Sequence, residues 1–259
     1  MGQVPGNGQA TGPARYGFIG DGRLSRHWRH YFTSLGIPWA LWSRRLARAS
    51  DTAPPSTAAE ALGTCPVLLL AVSDDAIAPV LAGLRDRGSP GRTLVHFCGG
   101  RSFDGAFGAH PLMSFGPRLY PPRFYRDIPM FVEQSPICPD PVARFRELFP
   151  ELPNPCFALP VADKAAYHAL CALAGGFPAL LWEQFFATMA SRYGVPREAL
   201  AAYPRRILDN VLESGADALT GPVARGDDET IHAHLEALSG GPLRSAYEAF
   251  IATARSARP

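Results

Sequence analysis

Lysine is almost missing from this chain. Of 25 basic residues, 24 are arginine and only Lys164 is lysine, so the single exception needs its own explanation. Charge of either sign is also sparse. Charged residues make up 19% of the 259, and a net charge of +2 creates no field that would favour nucleic acid or an anionic membrane. No nucleic-acid reader motif offsets that balance, so neither partner is expected. The five cysteines form an odd set without a CxxC pair. This argues against a disulfide frame or a metal site and fits reduced thiols in a cytoplasmic protein. No apolar run approaches membrane-spanning length. The opening MGQVPGNGQATGPAR lacks a signal-peptide core, and residues 1–14 read as a disordered tail.

What is present is a large apolar fraction, 47%, enough for a substantial core. YGFI (16–19) reads as a first strand, 22–35 as a helix and IPWALW (37–42) as a second strand. A Pro/Ala/Ser-rich link follows. PVLLLAV (66–72) is a continuous apolar run suited to a strand covered on both faces. Asp74 and Asp75 then open a helix to about Arg87, with carboxylates where a helix N-terminus favours them. Further strands are expected at 93–97, 105–110 and 128–133, and a short helix after Pro141. This alternation predicts an α/β fold with a doubly wound, Rossmann-like parallel sheet. Near Pro160 the composition turns Ala/Leu-rich with helical spacing over 163–193, 196–214, 227–238 and 242–256. The expected organisation is an N-terminal α/β domain over 15–160 and an all-helical domain over 161–259.

The stretch YGFIGDGRLS carries the first functional signal. In a dinucleotide-binding unit one glycine makes the tight turn, a second admits the pyrophosphate and a third lets helix and strand pack closely. Gly20 and Gly22 fit the first two places, and the small Ser25 takes the third. Val72 and Ser73, after the third strand, complete the expected cofactor edge. The second strand ends in Trp42-Ser43-Arg44-Arg45, without the acid that would bind a ribose 2′-hydroxyl. Ser43 and Arg44 would instead receive a 2′-phosphate, so the expected cofactor is NADP. A solvated basic turn is the competing reading.

Two histidines fall at strand ends, His96 in LVHFCGG and His110 in GAHPLMSF, where ligands of such sheets bind. Either could contact substrate or be a buried structural group. Cys98 has no evident base and reads as an inert thiol. In DKAAYHALC, Lys164 and His168 share one helix face with Tyr167 beside them. Desolvation and the imidazole would tune the lysine as a proton donor, which arginine cannot become. Thr220 and Arg225, in LTGPVARGD, suit a substrate carboxylate, with Asp227 as the cap of the helix that follows. His232 and His234, two apart on that helix, do not face the same way and make no metal pair.

GFIGDGRLS, LLLAVSDDAI, LVHFCGG, GAHPLMSF, KAAYHALC and LTGPVARGD, in this order over about 16–255, resemble a known two-domain family. It joins a Rossmann-like domain to domain of unknown function 2520. That family is similar to 6-phosphogluconate dehydrogenase-like, pyrroline-carboxylate reductase-like and prephenate dehydrogenase-like enzymes. The resemblance implies an NADP-dependent oxidoreductase with a helical C-terminal domain that forms a homodimer, and names no substrate. The substrate expected here is a small carbonyl, imine or hydroxy-acid compound. The family's catalytic lysine matches Lys164; with the residues read above, Lys164, His168 and His110 are the expected catalytic groups and His96, Thr220 and Arg225 the expected substrate contacts. In related β-hydroxyacid dehydrogenases the lysine is followed four residues later by asparagine, where this chain has His168. Cys98 stands where the family commonly has serine, and Gly175-Gly176 where Ser-Asn is usual. If that pair helped bind substrate, a catalytically silent NADP-binding sensor or scaffold is the alternative.

Overall fold

A computed structural model describes residues 13–48, 57–86 and 91–256. Almost all of the expected N-terminal tail, most of the link after the second strand and Arg87 lie outside these residues. The first half alternates strands and helices: β1 (Tyr16–Ile19), α1 (Arg23–Ser34), β2 (Trp39–Trp42), α2 (Arg44–Arg48), α3 (Ala58–Ala61), β3 (Val67–Leu70) and α4 (Asp74–Asp86). Then come β4 (Thr93–His96), β5 (Phe107–Pro111), α5 (Pro122–Arg126), β6 (Met130–Gln134), α6 (Pro141–Leu148) and β7 (Cys156–Pro160). After a 3₁₀ turn the chain is helical: α7 (Lys164–Cys171), a π turn (Ala172–Gly176), α8 (Phe177–Tyr193), α9 (Arg197–Leu200) and α10 (Ala202–Ser214). It ends in α11 (Pro222–Arg225), α12 (Asp228–Ala237) and α13 (Pro242–Ser256).

The seven strands form one sheet in the order β2-β1-β3-β4-β5-β6-β7, parallel except where β6 runs against β5. This is the expected Rossmann-like α/β sheet, extended by β7 beside β6. The expectation missed β7 because prolines flank it and its outward residues are polar-accessible, with Phe157 half exposed. Proline is tolerated at such an edge because no ladder hydrogen bond is lost there.

Alternation along the strands explains how both faces are filled. Tyr16, Phe18, Val67, Leu69 and Val95 point to the face covered by α1, whose Trp28, Tyr31 and Phe32 are buried against them. Ile19, Leu68 and Leu70 point to the other face and meet Ile77, Leu81 and Leu84 of α4. Their spacing of four and three residues keeps them on one helix stripe. Each such side chain contributes roughly 1.5–3 kcal/mol on burial, so the central strands are the firmest part of the molecule.

Two compact units divide at Pro178, one running to that residue and one over Ala179–Pro259. The helix carrying Lys164 therefore belongs with the sheet, although the change in composition near 160 precedes it. Val161–Tyr193 is one helical run of 33 residues with mean hydropathy 1.3 in its most apolar window, long and apolar enough to span a bilayer. The reading that no apolar run reaches such length is corrected here. Alanines and glycines between Lys164 and Glu183 add length without adding charge.

Candidate active site

At the carboxyl ends of β1, β2 and β3 lies a cleft of about 1140 Å³. Gly20, Gly22, Ser43, Arg44, Val72 and Ser73, all expected at a cofactor site, line it. Gly20 has φ of 106°, and a Cβ there would stand 2.4 Å from the Ala71 carbonyl oxygen. Only glycine makes this turn without displacing β3. Gly22 is different, since a Cβ on it would meet nothing within 4 Å. Protein packing places no demand for glycine at that position. Its bareness widens the approach to the first turn of α1, which has no side-chain cap and no acidic residue. Such a turn presents unpaired N–H groups to an anion. Ser25 does not line the cleft. It is fully buried at the start of α1, where a small side chain permits close packing, and it accepts a bond from Arg29 Nε at 3.3 Å.

Ser43 is nearly buried and accepts the Leu46 N–H at 3.3 Å, so its hydroxyl oxygen caps α2 while its edge faces the cleft. Arg44 is exposed at the start of α2 and makes no ion pair with the described residues. Arg45, read beside Arg44 in the same stretch, and Arg48, which sequence reasoning missed, also line the cleft. Asp21, between the two glycines, pairs with Arg29 at 2.8 Å and with Arg45. The acid in the glycine turn is thus already neutralised from within the chain.

A second group is set by sheet register. His96 on β4 pairs with Gly108 on β5, and the antiparallel step to β6 puts Glu133 beside Gly108. Strands lie about 4.8 Å apart, so His96 and Glu133 are separated by two strand spacings with a glycine between them. A Cβ on Gly108 would stand 2.2 Å from Glu133 Oε1, and its absence makes the hole that the carboxylate fills. There Glu133 Oε1 bonds the Lys164 ammonium and lies 3.2 Å from His96 Nε2. That second contact lies at ion-pair distance, and His96 is among the groups that lower the carboxyl. The Cys98 N–H donates to His96 Nδ1 at 3.3 Å, which leaves the ring proton on Nε2, towards Glu133. Lys164 Nζ also donates to the Cys98 carbonyl at 2.8 Å. Burial pushes the Glu133 carboxyl up, but His96 and Lys164 together outweigh it and hold it below its ordinary value.

This corrects the expected setting of Lys164. The residue is 2% exposed and its side chain is committed to a carboxylate and a carbonyl, rather than left open beside His168. Glu133, the residue that decides this, was missed altogether. Its signal was a lone carboxylate in the apolar strand IPMFVE. His96 is completely buried within the same group, so its expected substrate contact is replaced by an internal one.

His110 and His168 meet at a different corner. Their rings lie 5.7 Å apart and nearly perpendicular, and a Cβ on Gly99 would stand 2.9 Å from His110 Nε2 and 2.6 Å from His168 Cδ2. His168 Nδ1 is next to Gly100 in the same way, at 3.1 Å. His110 Nδ1 is 2.9 Å from the Tyr167 hydroxyl, and Tyr167 packs on Phe131 with ring centroids 4.7 Å apart. Lys164, Tyr167, His168 and Cys171 thus form one face of α7 over the ends of β4, β5 and β6. Burial first, then the neighbouring His168 and Lys164 charges, lower His110 to about 4, with Asp74 opposing them in part. Asp74 also lines the cofactor cleft, so cleft and histidine corner are neighbours. The Cys98 thiol is pushed up, chiefly by burial and then by its bond to Asp74, and behaves as a turn-holding group rather than a nucleophile.

Thr220 and Arg225 lie in the second unit. Gly221 (φ 92°) turns the chain into α11, which ends at Arg225, and Asp227 caps α12 through the Thr230 N–H at 3.1 Å, as expected. His232 faces Glu236 and His234 faces Tyr247, on separate sides of α12. Gly175 and Gly176 fall in the π turn, and a Cβ on either would meet open space.

The fold and these motifs define a Rossmann-like unit followed by helices. Residues 128–254 match the family described as Domain of unknown function (DUF2520). No curated protein matches the chain. Among solved structures it is similar to a candidate NADP oxidoreductase from Bacteroides fragilis, with TM-score 0.75 and 19% identity over 93% of this chain and 97% of that one. It is also similar to an imine reductase of Streptomyces aurantiacus, with TM-score 0.59 and 15% identity over 93% of each chain. Pyrroline carboxylate reductase of Plasmodium falciparum, solved with NADP bound, aligns with TM-score 0.56 and 14% identity over 93% of this chain and 98% of that one. At these identities the likeness is one of fold.

Proposed function

We propose that the protein is an NADP-dependent oxidoreductase acting on a small carbonyl, imine or hydroxy-acid compound. The observation that carries this reading is the cleft, with an obligatory glycine turn at Gly20 and arginines at the end of β2, next to the His110–His168 corner. Two of the structurally similar proteins are an imine reductase and a pyrroline carboxylate reductase with NADP bound, which supports the choice of chemistry. When bound, the nicotinamide supplies or accepts the hydride. The first turn of α1 holds the pyrophosphate, and Arg44, with Arg45 and Arg48 beside it, receives the 2′-phosphate by charge-assisted bonds. His110 and His168 face the reacting carbon's heteroatom. Lys164 holds the Cys98 carbonyl and so fixes the turn that forms one wall of that corner.

Calorimetry with both cofactors tests the reading. NADPH is expected to bind at least tenfold tighter than NADH, and Arg44→Ala to lose about tenfold to a hundredfold of NADPH affinity, the range of a charge-assisted bond. Equal affinity for the two cofactors would sink it. We also propose a homodimer through the helical region, because Tyr203, Leu208, Val211 and Leu212 of α10 are all exposed apolar residues. Light scattering at micromolar concentration is expected to give twice the chain mass of 27.9 kDa. A monomer mass contradicts this.

A further inference from the structure

His110 presents one ring nitrogen to the protein and the other to the corner. Nδ1 is engaged by Tyr167 at 2.9 Å, while Nε2 makes no hydrogen bond to the described residues and faces the side-chain-free Gly99. The two rings meet edge to face at 84°, and Phe131 backs the phenol, so Tyr167 is held in place from both sides. Cys171, one turn further along the same face, contacts the phenol as well. We propose that Tyr167 donates its hydroxyl hydrogen to His110 Nδ1, fixing His110 as the Nε2–H tautomer and making it a neutral hydrogen-bond donor to the substrate heteroatom.

Three features support this assignment. Burial raises Tyr167, so the phenol keeps its proton and has one to donate. The Cys171 contact raises Tyr167 as well, so it too keeps the hydrogen on the phenol oxygen beside Nδ1. Lys164, on the same face of α7, is already committed to Glu133 and the Cys98 carbonyl. The groups facing His110 are Tyr167, His168 and Lys164 from α7 and Asp74 from α4. In the reducing direction hydride reaches the carbon of the C=O or C=N bond. The heteroatom then takes the Nε2 proton as Nδ1 takes the phenol proton; once product leaves, solvent returns a proton to Nε2 and Nδ1 hands its proton back to the phenolate, which restores the starting tautomer. Tyr167 is here a positioning residue and proton relay, and His110 the group that touches substrate. The donor role rests on the oxidoreductase reading; the tautomer does not.

Histidine-selective ¹⁵N labelling and long-range ¹⁵N–¹H correlation test the tautomer in the full-length protein without a substrate. The signal that disappears in His110→Gln is expected to show an unprotonated Nδ1 and a protonated Nε2, and to hold that pattern on titration from about pH 8 to about pH 5. In Tyr167→Phe the same signal is expected to move towards an average of both tautomers. A wild-type signal with the proton on Nδ1, or one averaged between tautomers, overturns the proposal whether or not the variant folds. A folded Tyr167→Phe with an unchanged pattern overturns the role of the tyrosine. NADPH calorimetry on the same samples separates the two readings. An intact tautomer without NADPH binding removes the donor role and the oxidoreductase reading, and leaves the assignment of the ring standing.

Discussion

Replacing Lys164 with methionine is expected to cost the first unit about 3–5 kcal/mol of stability, the range for breaking a buried ion pair from one side. Lys164 and Glu133 are 2% and 7% exposed, so neither gains appreciable hydration when the other is removed. Methionine fills much of the lysine volume, and the loss is therefore electrostatic rather than a cavity effect. The Cys98 carbonyl loses this donor, and the Glu133 carboxylate loses its cation and keeps only the His96 Nε2 neighbour at 3.2 Å. Lys164→Arg is a poor rescue, because the planar guanidinium is too wide for a notch shaped by Gly108. The companion variant decides the mechanism. Glu133→Gln alone should be costly, yet on the Lys164→Met background it should cost little or restore stability, since the stranded charge is gone. Urea unfolding followed by tryptophan fluorescence would measure the cycle, with Trp28, Trp39 and Trp42 reporting on the first unit. A Lys164→Met protein within about 1 kcal/mol of wild type, or four additive values, would falsify the account.

That result bears on why this position stayed lysine in a chain with 24 arginines. The sequence invites the thought of a titrating proton donor, and the structure offers a different reason. A compact ammonium fits between a carboxylate and a carbonyl in a hole one glycine wide. Helical spacing made it legible that Lys164, Tyr167 and His168 share a face. What that face meets depends on strand register, which periodicity does not encode. His96, Gly108 and Glu133 stand 37 residues apart end to end in the chain, yet lie in one row across three strands. The glycine turn after β1 was legible because a φ of 106° at Gly20 leaves no other residue type comfortable there. Val72, Ser73, Ser43 and Arg44 followed from it by topology alone, since strand ends of a parallel sheet converge on one edge. β7 stayed hidden because an edge strand bounded by prolines carries too little apolar alternation to be told from a loop.

Stability should fall between about pH 6.5 and about pH 4 in the wild type, and His110→Gln should remove much of that slope. His110 is held down to about 4 from its usual 6.5, first by burial, then by the His168 and Lys164 charges, with Asp74 working the other way. The unfolded chain therefore takes up a proton near pH 6.5 that the folded chain refuses until about pH 4. Stability rises with pH wherever the unfolded state binds more protons, so the His110 contribution is complete above the unfolded value and is lost as pH drops through this window. At 1.36 kcal/mol per pH unit the shift is worth about 3 kcal/mol at most, and about 2 once residual solvent access is allowed for. Glu133 acts in the same direction but lower, since its depressed carboxyl loses its stabilisation only as pH falls below the ordinary carboxylate value. The two are separable by window. Thermal unfolding of wild type and His110→Gln at several pH values gives the difference curve. It should be flat above about pH 7 and change by about 2 kcal/mol on the way to about pH 4.5. Parallel curves across that range would mean that His110 titrates as freely as an exposed histidine, and that the corner where it meets His168 is open water rather than a site that keeps an imidazole neutral.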